Sequence, residues 1–472
     1  MSDVAYRLAA LSDSHLGYSA KCRTHARSGI NERVRDGYLA FKESVTQIID
    51  ADVDGVLHGG DLMHRSWPAV MDLVWARQQL ERFAEAGIPV WGNTGNHDAS
   101  SERGKSPATA ALNDPSRGIH MVTEPYRMVS PVDGLNIHLV SHYGLAQSER
   151  LLPDPVEGEV NILTAHGAAM VPGHEIFACA DSPGEQPIGL DLLTNPGFAV
   201  HVLGHYHGMG EILDGVWYAG SSIRRGFSDP AGGRGWLLVN VHTDGTITVE
   251  PQYISQRPQH DLPRIDAKGL TGEEVEELIR ANLAAVDLGD AIVRQVVTNC
   301  STSIRRSIDQ PALKALTEDT LMWMPDFRRP EVTDDTGERT VEGVGASIRT
   351  AGASDLPTMY DSWMGGYATR VDLAEELVPK VLDEGSRHLK DAARTESGFD
   401  PGDEIAPTRP ALSPGEFDTG MSLINDPATG TARPVSPEEW DEGEVEGFED
   451  LFGVNAHRTD DDEHAATRGL AQ

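Results

Sequence analysis

The sequence is poor in lysine relative to acidic residues, which bears on the partners that it can bind. Seven of its 39 basic residues are lysine, and 74 acidic residues give a formal net charge of −35. This balance argues against a nucleic-acid partner, because phosphate binding relies on Lys and Arg. Two exceptions stay open: divalent metal ions can supply positive charge locally, and the acidic residues can lie away from the site. The same composition also suits a high-salt microbe or a GC-rich genome.

Cysteine and long apolar runs are also scarce. The three cysteines, Cys22, Cys179 and Cys300, are too few and too widely spaced for a disulfide framework or a zinc knuckle, which favours a reducing compartment. No stretch approaches the ~20 apolar residues of a membrane span. The start, MSDVAYRLAALSDSH, lacks the basic and apolar regions of a signal peptide. The sequence therefore predicts a cytoplasmic protein with no membrane partner.

The first hundred residues alternate between short apolar strands and amphipathic helices. In chain order the predicted elements are a strand at 6–11, a helix at 32–50, a strand at 54–58, a helix at 68–86 and a strand at 87–92. Such a series implies neighbouring parallel strands joined by right-handed crossovers. Six further strands with turn residues between them are predicted at 135–140, 160–165, 199–203, 216–219, 235–241 and 246–251.

A second unit follows the proline-bearing stretch 256–263. A helix at 271–284, a strand at 291–297 and a helix at 310–317 predict a small α+β domain at 262–330. These elements leave residues 1–255 as the first domain.

The remaining residues differ in composition. Residues 331–395 read as a linker and a helix at 371–394, which Pro379 should kink or split. From 391 to the end there are 20 acidic and five basic residues, so 396–472 is predicted to be a disordered acidic tail. The island EGFEDLFGV within it is either part of that solvated tail or a short docking motif.

Polar clusters follow the predicted strands at five points. They are Asp13-x-His15, Gly60-Asp61, Asn96-His97-Asp98, Ala165-His166-Gly167 and Gly204-His205-Tyr206-His207. Open α/β sheets place their chemistry at the carboxyl ends of strands. Carboxylate, amide oxygen and imidazole without thiolate suit manganese, iron or zinc in an open site. One DxH or GHxH is a weak signal, whereas five such clusters in order predict a metal centre.

The chemistry predicted for this centre is hydrolysis at phosphorus. Two ions about 3.5–4 Å apart need a bridging ligand, and Asp61, central in chain order, is the predicted bridge. Asn96 offers a neutral oxygen ligand, which leaves His97 free to act on the substrate. Asp98 is predicted to orient His97 by accepting its ring N–H.

The segments SDSHLG, GGDLMHR, GNHD, AHG and GHYH together resemble the calcineurin-like metallophosphoesterases. More narrowly they resemble the SbcD-like DNA double-strand-break repair nucleases, which work with an SbcC-type ATPase. The narrower likeness rests on His15-Leu16-Gly17, the run ERVRD at 32–36 and His64 after Asp61. It covers 1–255 well and 262–330 weakly. It implies an α/β fold, with a metallophosphoesterase β-sandwich flanked by helices, then a small α+β capping domain that contacts DNA.

The resemblance also implies roles for single residues. Two divalent ions, most typically Mn²⁺, would be held by seven ligands: Asp13, His15, Asp61 and His207 for one ion, and Asp61, Asn96, His166 and His205 for the other. His97 would be the general acid or transition-state stabiliser, and His64 would position the DNA strand. Arg224 and Arg225, where many relatives have GSPER, would contact phosphates or be ordinary surface arginines. Gly167 replaces the glutamine of the family, which leaves substrate handling open.

Three functions remain on the sequence alone. The first is a manganese-dependent DNA exo/endonuclease of double-strand-break repair or recombination, a homodimer that binds double-stranded ends and an SMC-like ATPase through 331–395. It would act in the cytoplasm at the nucleoid, or in a host cytoplasm if the chain is viral. The second is a general phosphomonoesterase or phosphodiesterase, which would need neither the 262–330 domain nor His64. The third is a non-catalytic scaffold that binds DNA ends, which the complete ligand set disfavours.

Overall fold

The computed structural model describes residues 2–100, 106–147, 151, 153–171 and 186–330, with short pieces at 332–333, 339–340, 380, 423–425 and 432–434. The helices are α1 (Glu32–Asp50), α2 (Val70–Glu85), α3 (His142–Leu145), α4 (Leu190–Leu193), α5 (Gly272–Ala284), α6 (Thr302–Ser307) and α7 (Gln310–Leu316). The strands are β1 (Val4–Leu11), β2 (Gly55–His58), β3 (Val90–Gly92), β4 (Ile119–Met121), β5 (Tyr126–Val132), β6 (Leu135–Val140), β7 (Val160–His166), β8 (Ala168–Ala169), β9 (Pro187–Ile188), β10 (Val200–Gly204), β11 (Gly210–Leu213), β12 (Val216–Tyr218), β13 (Gly235–His242), β14 (Ile247–Tyr253), β15 (Gln259–Asp261), β16 (Ile265–Asp266), β17 (Ile292–Thr298), β18 (Met322–Phe327), β19 (Val332–Thr333), β20 (Arg339–Thr340), β21 (Leu423–Asn425) and β22 (Ala432–Pro434).

The first sheet is buried on both faces, which explains its continuous apolar strands. Its order is β14-β13-β1-β2-β3-β4, and β1 to β4 run parallel. Successive side chains of a strand point to opposite faces. Ala9 and Leu11 accordingly pack with Phe41 of α1, while Leu8 and Ala10 face the other way. The helices α1 and α2 therefore cover one face only.

The second sheet covers the opposite face of the first. Its order is β11-β12-β10-β7-β6-β5. Ile137, Ile162 and Val202 of this sheet form one core with Leu8 and Leu57 of the first. Two six-stranded sheets thus form a β-sandwich with helices outside, which confirms the predicted fold class. Because β6, β7 and β10 are also parallel, both sheets bring carboxyl strand ends to the same edge.

A third sheet occupies the part of the chain predicted as the capping domain. β17 lies at its centre and pairs in parallel with β15, β16 and β18. Its own hydrophobic core contains Val275 and Ile279 of α5, Val293 and Val297 of β17, and Leu313 of α7. A separate core of this kind is typical of a small α+β unit. The assignment of 262–330 as a DNA-contacting domain remains a prediction.

The observed elements match the predicted ones to within a few residues. The helix at 32–50 and the strand at 135–140 have the predicted bounds, and α2 begins at Val70, two residues later than predicted. The structure adds β4, β5, β11 and β18, which were not predicted. The helix at 371–394 and the acidic tail at 396–472 lie outside the described residues, apart from the short pieces given above. No helix in the described ranges is long and apolar enough to cross a bilayer.

Candidate metal centre

The predicted ligands meet at the edge where the parallel strands of both sheets end. Asp13 and His15 follow β1, and the loop that carries Asp61 runs beside them. The amide of Asp13 donates to Gly60 O at 2.9 Å, and that of His15 to Asp61 O at 2.9 Å. From the second sheet, the His205 amide donates to Asp13 Oδ2 at 2.9 Å. Two main-chain hydrogen bonds and one to the Asp13 carboxylate therefore hold these loops together.

Four of these residues have strained backbone. The φ angles are 50° for Asp13, 44° for His15, 54° for Asp61 and 103° for His205. Non-glycine residues rarely adopt such angles, and strain of this kind concentrates at functional sites. Glycine is required at position 95 for a steric reason, because a Cβ there would lie 2.1 Å from Asp61 Oδ1. The glycine before Asn96 thus allows the third loop to approach Asp61.

One group of possible ligands contains Asp13, His15 and His207. His15 Nε2 lies 3.1 Å from His207 Nε2, and Asp13 Oδ1 lies 3.7 Å and 4.0 Å from those two nitrogens. Asp13 Oδ1 and His15 Nδ1 are buried and find no hydrogen-bond partner among the described residues. A buried anionic oxygen without a donor, facing two imidazole nitrogens, fits a divalent cation.

A second group contains Asp61, Asn96, His166 and His205. Asn96 Oδ1 lies 3.1 Å from His166 Nε2 and 3.1 Å from His205 Nδ1. Asp61 Oδ2 lies 3.4 Å from His166 Nε2 and also 3.6 Å from His15 Nε2 of the first group. A single carboxylate oxygen therefore faces both groups. This is the position that a bridging ligand requires.

The protonation states of His15 and His207 suit cation binding, whereas His166 must lose a proton to become a ligand. Burial, with Arg225 nearby, holds the pKa of His15 well below its usual value, and burial also lowers the pKa of His207. Both imidazoles are therefore neutral, which metal coordination demands. Burial opposes protonation of His166, yet the charge of Asp61 raises its pKa to about 9. The field around Asp61 therefore attracts positive charge strongly.

His97 and His64 stack beside the first group. Their ring centroids are 5.3 Å apart with an interplanar angle of 21°, and His97 lies 4.7 Å from the ring of His15. His97 Nδ1 is 2.8 Å from the main-chain carbonyl of His64. A carbonyl only accepts, so Nδ1 carries the proton and Nε2 is the ring atom left for other work. His15, His64 and His97 can also bring one nitrogen each within 4.8 Å of one another.

The predicted role of Asp98 is wrong in one respect. Its carboxylate does not hold the ring of His97 but accepts the main-chain amides of Leu62, Met63 and Gly95 at 3.3, 2.9 and 3.0 Å. These amides occupy both of its oxygens, and His97 turns to the His64 carbonyl instead. Burial and the charge of Asp61 raise the pKa of Asp98 to about 7. Asp98 thus ties the Asp61 loop to the Asn96 loop.

Asp229 is a site residue that the sequence reasoning missed. Its Oδ1 lies 2.9 Å from His207 Nδ1, and its Oδ2 accepts the amide of Arg225 at 2.8 Å. A carboxylate on the far nitrogen of a ligand histidine fixes its tautomer and ring orientation. Neither periodicity nor spacing pointed to Asp229, although it lies four residues after Arg225, a predicted DNA-binding residue.

We expect the Asp229→Ala variant to bind Mn²⁺ about 10–100-fold more weakly at one of two sites, because His207 loses the partner that aims its Nε2. Calorimetric titration of metal-free protein measures both sites. The matched control is Asp244→Ala, an exposed aspartate whose carboxylate contacts Thr246 of its own turn and Ser2. Equal Mn²⁺ affinities in wild type and Asp229→Ala would contradict the assignment.

The structure separates the two predicted DNA-binding arginines. Arg225 lies near enough to His15, His64 and His207 for its charge to lower the pKa of each. The guanidinium of Arg224 instead donates to the main-chain carbonyl of Asp229 at 3.3 Å and lies 5.4 Å from the Phe227 ring centroid. Arg225 is therefore the better placed of the two to meet a phosphate at the metal centre.

Comparisons with known proteins match this chain to one family and to several relatives. The profile of the calcineurin-like phosphoesterase family matches residues 6–209. A DNA double-strand break repair protein Mre11 from Haloferax volcanii is 32% identical over 288 residues, which are 60% of this chain and 58% of that protein. The Mre11 protein of Methanococcus maripaludis is 34% identical over 97 residues, or 20% of this chain and 24% of its own. A solved dimetal phosphatase from Danio rerio covers 52% of this chain and 99% of its own at 12% identity and a TM-score of 0.33.

The matched residues include every predicted ligand from Asp13 to His207. The chain spans little more than half of the length of its Haloferax volcanii relative. The resemblance inferred from the sequence is confirmed at this level: residues 6–209 match the calcineurin-like phosphoesterase family, and the chain is similar to Mre11 proteins of DNA double-strand break repair.

Proposed function

We propose that this protein is a two-metal DNA nuclease that hydrolyses phosphodiester bonds at double-stranded ends. The observation that carries the proposal is Asp61 Oδ2, which lies 3.6 Å from His15 Nε2 and 3.4 Å from His166 Nε2 and so faces both ligand groups. Two divalent ions, for which we propose Mn²⁺, would polarise the phosphoryl oxygens and acidify an attacking water. The proposed ligands are the seven predicted residues: Asp13, His15, Asp61, Asn96, His166, His205 and His207.

The chain's own residues would then bind and orient the substrate. His97 keeps its Nδ1–H on the His64 carbonyl, so a protonated Nε2 can donate to the leaving oxygen. His64 stacks on His97 and is the proposed contact for the DNA strand. Arg225 supplies a positive charge beside them, where a non-bridging phosphate oxygen would lie.

DNA is proposed as the substrate for two reasons. Two relatives to which this chain is similar are DNA double-strand break repair proteins. The strongest excess of acid lies in 391–472, with 20 acidic and five basic residues, away from the centre in sequence. The net charge of −35 therefore does not describe the surface around His64, where Arg65 and Arg225 lie close.

We also propose a homodimer and an SbcC-type ATPase partner, acting on cytoplasmic DNA. On α2, Trp75 belongs to the core, whereas Val70 at the start of the helix is 74% exposed. Val70 therefore supports a contact surface there. The proposed ATPase-docking segment 331–395 lies almost wholly outside the described residues.

The deciding experiment compares three substrates with Mn²⁺: end-labelled linear duplex DNA, covalently closed circular DNA and bis-p-nitrophenyl phosphate. We expect the linear DNA to be degraded, the circle to survive longer and EDTA to stop the reaction. The His64→Ala variant should lose more activity on DNA than on the small ester. Cleavage of the ester alone would establish the general phosphoesterase. If neither is cleaved even with an SbcC-type ATPase present, the non-catalytic scaffold is correct.

A further inference from the structure

The segment from Ile223 to Asp229, here called the arginine loop, joins the metal centre to the third sheet. It leaves the second sheet after β12 and carries Arg225 and Asp229. Asp229 holds His207 Nδ1, and the Arg225 carbonyl accepts the Tyr18 hydroxyl at 2.8 Å. Any displacement of this loop would therefore move both a proposed ligand and a proposed phosphate contact.

Two residues of the third sheet hold the arginine loop directly. Gln259 of β15 donates from Nε2 to the Arg224 carbonyl at 2.5 Å. The guanidinium of Arg294 in β17 lies 4.5 Å from the Phe227 ring centroid, within cation–π range. Arg294 is itself held by Asp261 of β15. One side chain from each of two neighbouring strands therefore contacts the loop.

A buried ionic cluster makes a third connection through α1. Arg257 donates from Nε to Asp36 Oδ2 at 2.9 Å and from Nη2 to Asp36 Oδ1 at 2.7 Å, and also pairs with Asp290 of the third-sheet unit. Asp36 is 1% exposed and Arg257 6%. Arg33 pairs with the same carboxylate at 2.5 Å and donates from its other terminal nitrogen to the Arg224 carbonyl. Because two guanidinium groups pair with one buried carboxylate, these three side chains have little freedom to move.

These contacts form an unbroken path to the metal centre. It runs from Asp290 through Arg257, Asp36 and Arg33 to the Arg224 carbonyl, then along the loop to Asp229 and His207. Gln259 joins the same carbonyl from the other side. The Arg224 carbonyl is therefore the point at which α1 and the third sheet both fix the loop.

We propose that Arg257 and Arg294 are positioning residues, which hold the arginine loop so that Asp229 and His207 keep the orientation needed for metal binding. On this proposal the placement of the third-sheet unit sets the affinity of one metal site. Movement of that unit, as when it takes up a bulky substrate, would be transmitted to His207. The proposal rests on the proposed function only in taking His207 as a metal ligand.

The variants are chosen so that the fold survives. Arg257 contacts two buried carboxylates, Asp36 and Glu32, and Arg257→Gln leaves Arg33 paired with the first and Arg35 3.9 Å from the second. Arg257→Lys keeps one charge on Asp36 but cannot reproduce the two-pronged contact. Arg294→Ala removes a side chain that is a quarter exposed. The control is Arg280→Ala, which breaks an exposed pair with Glu276 on α5 of the same unit without contact to the loop.

Two measurements are made on metal-free protein of each variant. Hydrogen exchange should be about tenfold faster at 223–229 in Arg257→Gln and Arg294→Ala, because the loop opens more readily. Calorimetry should show Mn²⁺ binding about tenfold weaker at one site, the size seen when outer contacts of a ligand are lost. Arg257→Lys should lie between Arg257→Gln and wild type, and Arg280→Ala should equal wild type in both measurements.

If Arg257→Gln and Arg294→Ala exchange hydrogen at 223–229 at the wild-type rate, the proposal is wrong. It is also wrong if they exchange faster but bind Mn²⁺ with unchanged affinity. Thermal unfolding shows which variants are folded. If Arg257→Gln does not fold, the measurements on Arg294→Ala test the proposal. Neither measurement requires DNA. A wild type that binds Mn²⁺ but cleaves no DNA would refute the proposed substrate, while the affinities of the variants would still test the path to His207.

Discussion

Replacement of Asp61 by asparagine should reduce phosphoester hydrolysis about 10³-fold or more and leave at most one tightly bound Mn²⁺. The change keeps the size of the side chain and an oxygen that can accept the His97 amide, which Asp61 Oδ1 now does at 2.8 Å. It removes the charge that faces both His15 and His166. Loss of several kcal/mol of charge stabilisation corresponds to a rate effect of this order.

The measurement combines calorimetric Mn²⁺ titration with hydrolysis of bis-p-nitrophenyl phosphate. Asp54→Asn is the matched control, because Asp54 precedes the other end of β2 and its carboxylate also accepts a main-chain amide, that of Arg7 at 2.7 Å. The unfolding temperature of the metal-free protein should change little in either variant, whereas the rise that Mn²⁺ gives wild type should be smaller with Asp61→Asn. Two bound ions and near-normal hydrolysis in Asp61→Asn would show that Asp61 is not the bridge.

Much of the fold was predictable because its central elements have strong local signals. α1 has the predicted bounds, since Asn31 caps its first turn and its apolar side chains recur on one face. β6, with the sequence LNIHLV, alternates apolar and polar residues over its first five positions, which is the period of a strand. The missed strands lack such signals: β5 is an edge strand with alternating partial exposure and a proline, Pro131, that interrupts the apolar pattern. Pairing with β6, and not its own sequence, makes it a strand.

The convergence of the candidate ligands was predictable from topology. Parallel neighbours place their carboxyl ends at one edge, so clusters after β1, β2 and β3 had to lie close together. The sequence does not tell how the second sheet meets the first. The strands of the second sheet bring His166 next to Gly59, which lies 107 residues away in the sequence. His166 Nδ1 is 2.9 Å from the main-chain carbonyl oxygen of Gly59. That contact determines which ring nitrogen of His166 faces the metal centre, and the sequence alone does not predict it.

Side-chain partners were the least predictable feature. Asp98 is adjacent to His97 in sequence, which suggested that it holds that ring, but both of its oxygens are occupied by amides of the neighbouring loops. Asp229 is 22 residues from His207 and yet contacts it. Hydrogen bonds of this kind depend on loop conformation, for which neither periodicity nor spacing carries a signal.

Replacement of His97 by alanine should lower kcat about 10²–10⁴-fold while two Mn²⁺ remain bound, the range typical of a lost general acid. His97 is not among the proposed ligands, and its Nδ1 is committed to the His64 carbonyl. Because the ring is only partly buried and stacks on His64, its removal should leave the fold intact. Calorimetry and thermal unfolding check both points before rates are compared.

The choice of leaving group separates a proton donor from a residue that merely fills space. A nitrophenolate leaves without a proton, whereas the sugar alkoxide released from DNA must receive one. Loss of the His97 imidazole should therefore cost much more on DNA than on bis-p-nitrophenyl phosphate, and the gap should narrow with a dinucleotide analogue whose leaving group is more acidic. An equal loss on all three substrates would assign His97 to charge stabilisation or substrate positioning. Loss of one of the two ions in His97→Ala would instead make His97 a ligand, in the alternative group with His15 and His64.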